Sequence, residues 1–229
     1  MTKELLTVSM LATAFALGAT EYVSPNVIGR CDIAKSSDLT KIIVPVPFLN
    51  FDADQTKSGQ IKVADLIQVS TLSAGDKIYK IDSGKYLCWQ LNDGKTAWTP
   101  VVATGVGGAS GSEPGAATEA VLARGDGFWL ETEATSVTLL GQAAPTDTVE
   151  VNLAKGWNLV GVSGVNDVNL SNITPAVGDK IILSNGTKIE ATKDTPSVWA
   201  KRGDSTTEFT LTAGTGFWYY TENSKKISL

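Results

Sequence analysis

Few side chains in this chain are placed to do chemistry. The paired carboxylates Asp52/Asp54 in NFDADQTKSG and Glu131/Glu133 in LETE come nearest to a calcium loop or a glycosidase dyad. The first pair has oxygen ligands near a glycine but lacks the spacing and terminal glutamate of a calcium hand. The second puts both carboxylates on one face of a strand, whereas an acid–base pair must flank its substrate. Both pairs read as solvated surface groups. There is no histidine, which removes the side chain most used for proton transfer near neutral pH and for holding transition metals. Serine–histidine and cysteine–histidine mechanisms are thereby excluded. The two cysteines, Cys31 and Cys88, have no C-x-x-C spacing and no other soft ligand nearby, so a zinc site has no support. The expectation is a non-enzymatic protein with no catalytic, metal or cofactor residue.

Six tryptophans, Trp89, Trp98, Trp129, Trp157, Trp199 and Trp218, are the next candidates, because aromatic faces stack on sugar rings. Trp129 and Trp218 are the residues of choice for glycan binding. Trp89 with Trp199 and Trp129 with Trp218 recur in register, however, which suits a core built twice, and core packing is the favoured reading. RGD occurs at Arg124–Asp126 and Arg202–Asp204, each where a turn calls for glycine and aspartate on local grounds. The sequon-like asparagines Asn169, Asn172 and Asn185 likewise mark surface turns.

The elements that would carry these residues come in two copies. LSAGDKIYKI, YLCWQLNDGKTAWTP and AVLARGDGFWLETEATSVTLLG recur in order as PAVGDKIILS, PSVWAKRGDSTTEFT and FTLTAGTGFWYYTENSKKISL. Gly75 and Gly178 stand 103 residues apart, but Gly127 and Gly216 only 89. The first copy therefore holds an insertion, placed at the Gly/Ala/Ser-rich stretch 102–120 and expected to be an exposed loop. Each block reads as strands, with Phe128 and Leu130 facing one way and Trp129 and Glu131 the other. Phe217 and Tyr219 oppose Trp218 and Tyr220 in the same manner. One face must meet the core, leaving the other to cover a sheet edge or meet a partner. VNLAKGWNLVGV reads as a hairpin turning at Lys155–Gly156, and Pro45 and Pro47 argue for an edge strand or bulge at the matching place. VADLIQVSTL and VNDVNLSNITPAV are the only candidate short helices. The expected fold class is all-β: two tandem related β-sandwich or β-roll domains over residues 41–144 and 145–229.

Composition bounds the location and the partners. The chain has 229 residues, 42% of them hydrophobic, enough for one large or two small cores. Its 19 basic and 24 acidic residues give a net charge of −5, no footprint for a nucleic acid. LLTVSMLATAFALGA, Leu5 to Ala19, reads as a signal peptide cleaved near Gly18 or Ala19. The competing reading is that residues 1–18 are retained as a pilin-like assembly helix. Either way the protein is expected outside the cytoplasm, at the cell surface or beyond. There Cys31 and Cys88 are a candidate disulfide, which would contribute about 3–4 kcal/mol if unstrained; two buried free thiols are the alternative.

GWNLVGV and GTGFWYY resemble the opening and closing elements of a recurring module of secreted and cell-surface bacterial proteins. SPNVIGRCDIAKSSDLTKIIVPVPF, Ser24 to Phe48, is similar to the mature start of exported proteins of the Verrucomicrobia and related bacteria. The resemblance implies export and β-architecture and transfers no catalytic residue. The first copy has VPFLN where the module has glycine–Trp–Asn.

The stretch 19–40 precedes the first copy and has strand character without an obvious partner in the repeat. Its residues Tyr22, Val23, Val27 and Ile28 are the candidate assembly strand. Paired with a sheet edge of a neighbouring subunit, it would supply main-chain hydrogen bonds and fill pockets with alternate apolar side chains. Head-to-tail addition of that kind does not close and yields a homopolymer. The leading functional expectation is thus an exported structural subunit of an extracellular filament or surface layer. A secreted glycan-binding module is the alternative, with glycans or the cell envelope as partner.

Overall fold

The computed structural model describes residues 28–35, 40–49, 60–82, 85–102, 120–143, 148–164, 166–191, 197–201 and 208–229. Alternating apolar and polar residues make nearly every described segment a strand, and the two large clusters of buried side chains divide the strands into two lobes.

The first lobe runs β1 (Ile28–Ala34), β2 (Lys41–Pro45), β3 (Gln60–Lys62), α1 (Val63–Leu66), a 3₁₀ turn at Val69–Thr71, β4 (Lys77–Asp82), β5 (Lys85–Leu91), β6 (Trp98–Val101), β7 (Val121–Ala123), β8 (Gly127–Glu131) and β9 (Ser136–Gln142). The second runs β10 (Glu150–Leu153), β11 (Gly156–Gly161), β12 (Val168–Asn169), a 3₁₀ turn at Leu170–Asn172, β13 (Lys180–Leu183), β14 (Lys188–Glu190), β15 (Ala200–Lys201), β16 (Thr210–Leu211), β17 (Gly216–Thr221) and β18 (Lys225–Ser228). Pairing repeats strand for strand. The antiparallel sheet β2-β8-β4-β5-β6 is matched by β11-β17-β13-β14-β15, the ribbon β3-β7 by β12-β16, and β1-β9 by β10-β18. The short helices fall where the sequence placed them, and β2, the proline-bearing strand, is a sheet edge.

This register corrects four expectations. First, β1 belongs to the first lobe: Ile28–Ala34 pairs antiparallel with Gln142–Ser136 just as β10 pairs with β18, so the lobe begins at residue 28 and not at 41. Ile28, assigned to an exchanged strand, is thus paired within its own chain; Tyr22, Val23 and Val27 lie outside the described residues, as do residues 1–18 and the insertion from 103 to 119. Second, Trp199 is the counterpart of Trp98 and not of Trp89, because Trp98 lies opposite Leu91 as the first lobe leaves β5, and Ala191 and Trp199 take the corresponding places beside β14 and β15. Third, Lys155–Gly156 is a corner between sheets and not a hairpin, since β10 pairs with β18 while β11 pairs with β17. Asn158 secures that corner, its amide accepting from Ala154 N–H and donating to the Ala154 and Gly156 carbonyls. Fourth, Thr40–Lys41–Ile42, not VPFLN, occupies the place of glycine–Trp–Asn, as the pairings Pro45–Gly127 and Gly161–Gly216 fix.

Both lobes share one internal fastening. Gly75 (φ +92°) and Gly178 (φ +91°) take the left-handed turn that only glycine adopts without strain, and each delivers a buried aspartate into the lobe. Asp76 accepts hydrogen bonds from Ser73 N–H and the Thr132 hydroxyl. Asp179, with its side chain 1% exposed, accepts from Ala176 N–H, the Tyr219 hydroxyl and Lys225. Burial pushes the Asp179 carboxyl up, but those donors outweigh it and hold the group below the usual carboxylate range. The Tyr219 hydroxyl is driven up by burial and by the same carboxylate.

A lowered folded-state pKa gives stability that is full above the unfolded value of about 3.9 and is lost as pH falls through the folded value. Asp179→Asn should therefore lower stability at neutral pH by about 2–3 kcal/mol and flatten the acid limb below about pH 4. Urea melts between acid and neutral pH check this; an unchanged acid limb would show that Asp179 is not the fastening.

Candidate interaction site at the seam between the lobes

Strand alternation sorts the two Phe-Trp pairs. Phe128 and Leu130 fill the first lobe's core and Phe217 and Tyr219 the second's, while Trp129 and Trp218 stand on the outer faces, half-buried. There they meet one another. Their rings lie edge to face at 5.1 Å, Tyr86 stacks on Trp129 at 5.8 Å, and Trp157 continues the row from Trp218 (6.0 Å) to Tyr220 (5.2 Å). The aromatic left over by each core has found its partner in the sibling lobe. Trp89, Trp98 and Trp199 are the buried core tryptophans.

Glycines bring the sheets this close. A Cβ on Gly161 would stand 2.6 Å from Pro45 Cα, on Gly127 2.9 Å from the Val160 carbonyl oxygen, and on Gly216 2.2 Å from Ile43 Cγ2. Main chain touches main chain: Gly161 N–H donates to the Gly125 carbonyl at 2.8 Å, and Asp126 bridges Val160. The buried Ser163 hydroxyl donates to the Val46 carbonyl at 2.8 Å. Equivalent positions face each other, Trp129 with Trp218 and Pro45 with Gly161, which is the pattern of an isologous contact between two copies.

The symmetry fails at one place. Gly214 is the counterpart of Gly125 and Pro45 that of Gly161, but proline has no N–H, so the mirror of the Gly161–Gly125 bond cannot form. Where the bond exists the lobes are tight: a Cβ on Gly125 would come within 2.6 Å of Val151 in β10. On the mirrored side, along β1, two clefts open. One of about 650 Å³ is lined by Ile33, Ala34, Lys41, Trp129, Gly214 and Trp218, among others. The other, about 320 Å³, runs past Arg30, Cys31, Phe48 and Gly214. Strand β1 has β9 as its strand partner among the described residues and sits at the edge of its ribbon.

Titratable groups near the seam are tied into the framework. Glu131 accepts from the Tyr79 hydroxyl at 2.6 Å and pairs with Lys41 at 3.4 Å, so it is not the free surface carboxylate expected; Glu133 lies beyond the end of β8, exposed. Burial alone would raise Glu131, but Tyr79 and Lys41 bring it below its ordinary value. The Lys41 ammonium also stands over the Tyr79 and Trp129 rings. Asp126, in the first RGD, accepts from Ala123 N–H and closes the β7–β8 turn; burial raises its carboxyl. Arg202–Asp204 and Asp52/Asp54 lie outside the described residues. Asn169 and Asn185 cap turns through Ser171 and Thr187 N–H. Among the described residues no cluster of three or more His, Cys, Asp or Glu is placed to hold a metal.

The candidate disulfide is corrected. Both thiols are free: Cys31 packs with Ile33 against the first core, whereas Cys88, the neighbour of inward-facing Trp89, lies on the opposite face of the sheet with Tyr79 and Trp129. The five-stranded sheet stands between them. Burial pushes the Cys88 thiol up to about 11 and raises Cys31 as well.

No family model matches this chain, and no curated protein or solved structure matches it. What the seam does follows from its own geometry.

Gly161→Ala should separate the lobes, because Pro45 cannot yield, at a cost of about 1–3 kcal/mol. The near-ultraviolet circular dichroism of the tryptophan row should collapse while the far-ultraviolet β signal stays. Gly94→Ala, where the nearest side-chain atom would be 3.6 Å away, should change neither. An unaltered aromatic signal in Gly161→Ala would contradict the close approach.

Proposed function

We propose that this chain is an exported structural subunit that joins its neighbours by β-strand addition to form a filament or surface layer. The observation that carries this reading is β1: an edge strand whose residues line two open clefts, on the one side of the seam that lacks its symmetry-related closure. An extended segment laid beside β1 would gain main-chain hydrogen bonds, with alternate apolar side chains entering the clefts. Residues 19–27 of another subunit, containing Tyr22, Val23 and Val27, lead directly into that subunit's own β1 and have the composition for the task. Each subunit would then both offer a strand and accept one, and the contact propagates instead of closing. Retention of residues 1–18 as a pilin-like helix is a variant of the same reading.

Support for a non-catalytic role comes from the commitments of the acidic groups. Asp76, Asp126, Asp179 and Glu131 each accept framework hydrogen bonds. Trp129 and Trp218, the glycan candidates, spend ring surface on each other and on Tyr86 and Trp157.

Removing residues 19–27, and stopping short of β1, should leave a folded monomer by circular dichroism and abolish polymers in negative-stain micrographs of native material. Filaments of normal length from the truncated protein would overturn strand addition. Native material that contains no assembly at all would overturn the structural-subunit reading itself.

A further inference from the structure

A third depression, of about 210 Å³, lies across the seam where the end of β4 meets the β10–β11 corner. Its chemistry differs from that of the clefts beside β1. Lys80, Asp82, Asn152 and Lys155 line it together with Trp157. Trp157 is 39% exposed and is the only aromatic among the large hydrophobic residues described as exposed. Its register partner in the first lobe is Lys41, folded over Tyr79 and Trp129, so the first lobe has no such platform.

We propose that Trp157 and this depression form a carbohydrate-docking site, taking one pyranose ring of a longer glycan. A sugar ring presents an apolar face of C–H groups and a rim of hydroxyls. The first calls for a rigid aromatic surface, and the second for carboxylate, amide and ammonium groups at its edge. Trp157 supplies the surface, and its contacts with Trp218 (6.0 Å, interplanar angle 87°) and Tyr220 (5.2 Å) fix the indole before any ligand arrives. Pre-organisation of that kind lowers the ordering cost of binding. Lys155 donates, and Asn152 both donates and accepts. The volume is below the roughly 300–1,000 Å³ of pockets that enclose a drug-sized molecule, which suits one ring of a chain that continues along the surface. This site is separate from the clefts beside β1, so it stands or falls independently of strand addition. It would attach the scaffold to a polysaccharide.

The test is titration calorimetry of the full chain with three probes: cellotetraose, tetra-N-acetylchitotetraose and tetragalacturonate. Saturable binding of at least one is expected, weakened at least about tenfold in Trp157→Ala. Asn152→Ala, at an exposed position of β10 away from the aromatic row, should weaken the same probe without lowering Tm. Val198→Ala, at another exposed apolar residue, should leave binding unchanged. No binding of any of the three, or binding that survives both Trp157→Ala and Asn152→Ala, would overturn the site.

Discussion

Contact of main chain with main chain at Gly161 is the constraint on which the rest of the molecule turns. Two sheets packed through ordinary side chains lie about 10 Å apart. Here Gly161, Gly127 and Gly216 remove the spacers at the crossing, so that Gly161 N–H reaches the Gly125 carbonyl at 2.8 Å. At that distance the outward tryptophans of the two lobes have nowhere to go but against each other. Each Phe-Trp pair thus serves two cores, phenylalanine within its lobe and tryptophan between lobes.

Duplication explains why the seam is nearly symmetric, and proline explains why it is not fully so. A protein that binds its own copy face to face places like residue on like, and a fused pair inherits that pattern. Pro45, standing where the second lobe has Gly161, removes one donor from the mirrored bond. The consequence is one flank drawn close where β10 lies under the turn of the first lobe, and a wider opening on the flank along β1. A sheet edge left open is a liability that natural proteins cover, charge or use. Arg30 and Asp32, ion-paired with each other on β1, place charge there; the proposed strand addition makes use of it.

Much of this was legible in the sequence, for local reasons. Alternation in GFWLE and GFWYYT gives two faces, and the order of the three blocks establishes the duplication. What escaped was long-range pairing. Nothing near Asp32 announces that it will lie beside Thr138, 106 positions away. Trp199 and Trp89 share the middle block and so match by local pattern, whereas only the ladder between β14 and β15, two residue pairs long, shows that Trp98 is the true counterpart. Trp157 stands in the sequence as part of a glycine–Trp–Asn signature. Its exposure depends on where the other lobe ends, which no local pattern records. The carboxylate of Glu131 looks solvated in the sequence because its partners, Tyr79 and Lys41, come from two other strands.

A chain of two beads on a linker and a chain fused into one body have the same secondary structure and differ only at the seam. Nuclear Overhauser spectroscopy of the full-length protein, with the tryptophan rings assigned, distinguishes them directly. Ring centroids 5.1 Å apart require cross-peaks between the indole protons of Trp129 and Trp218. Their presence, with both lobes tumbling at one rate, is the expected result; their absence, with the lobes relaxing independently, would contradict the fused architecture and everything built on it.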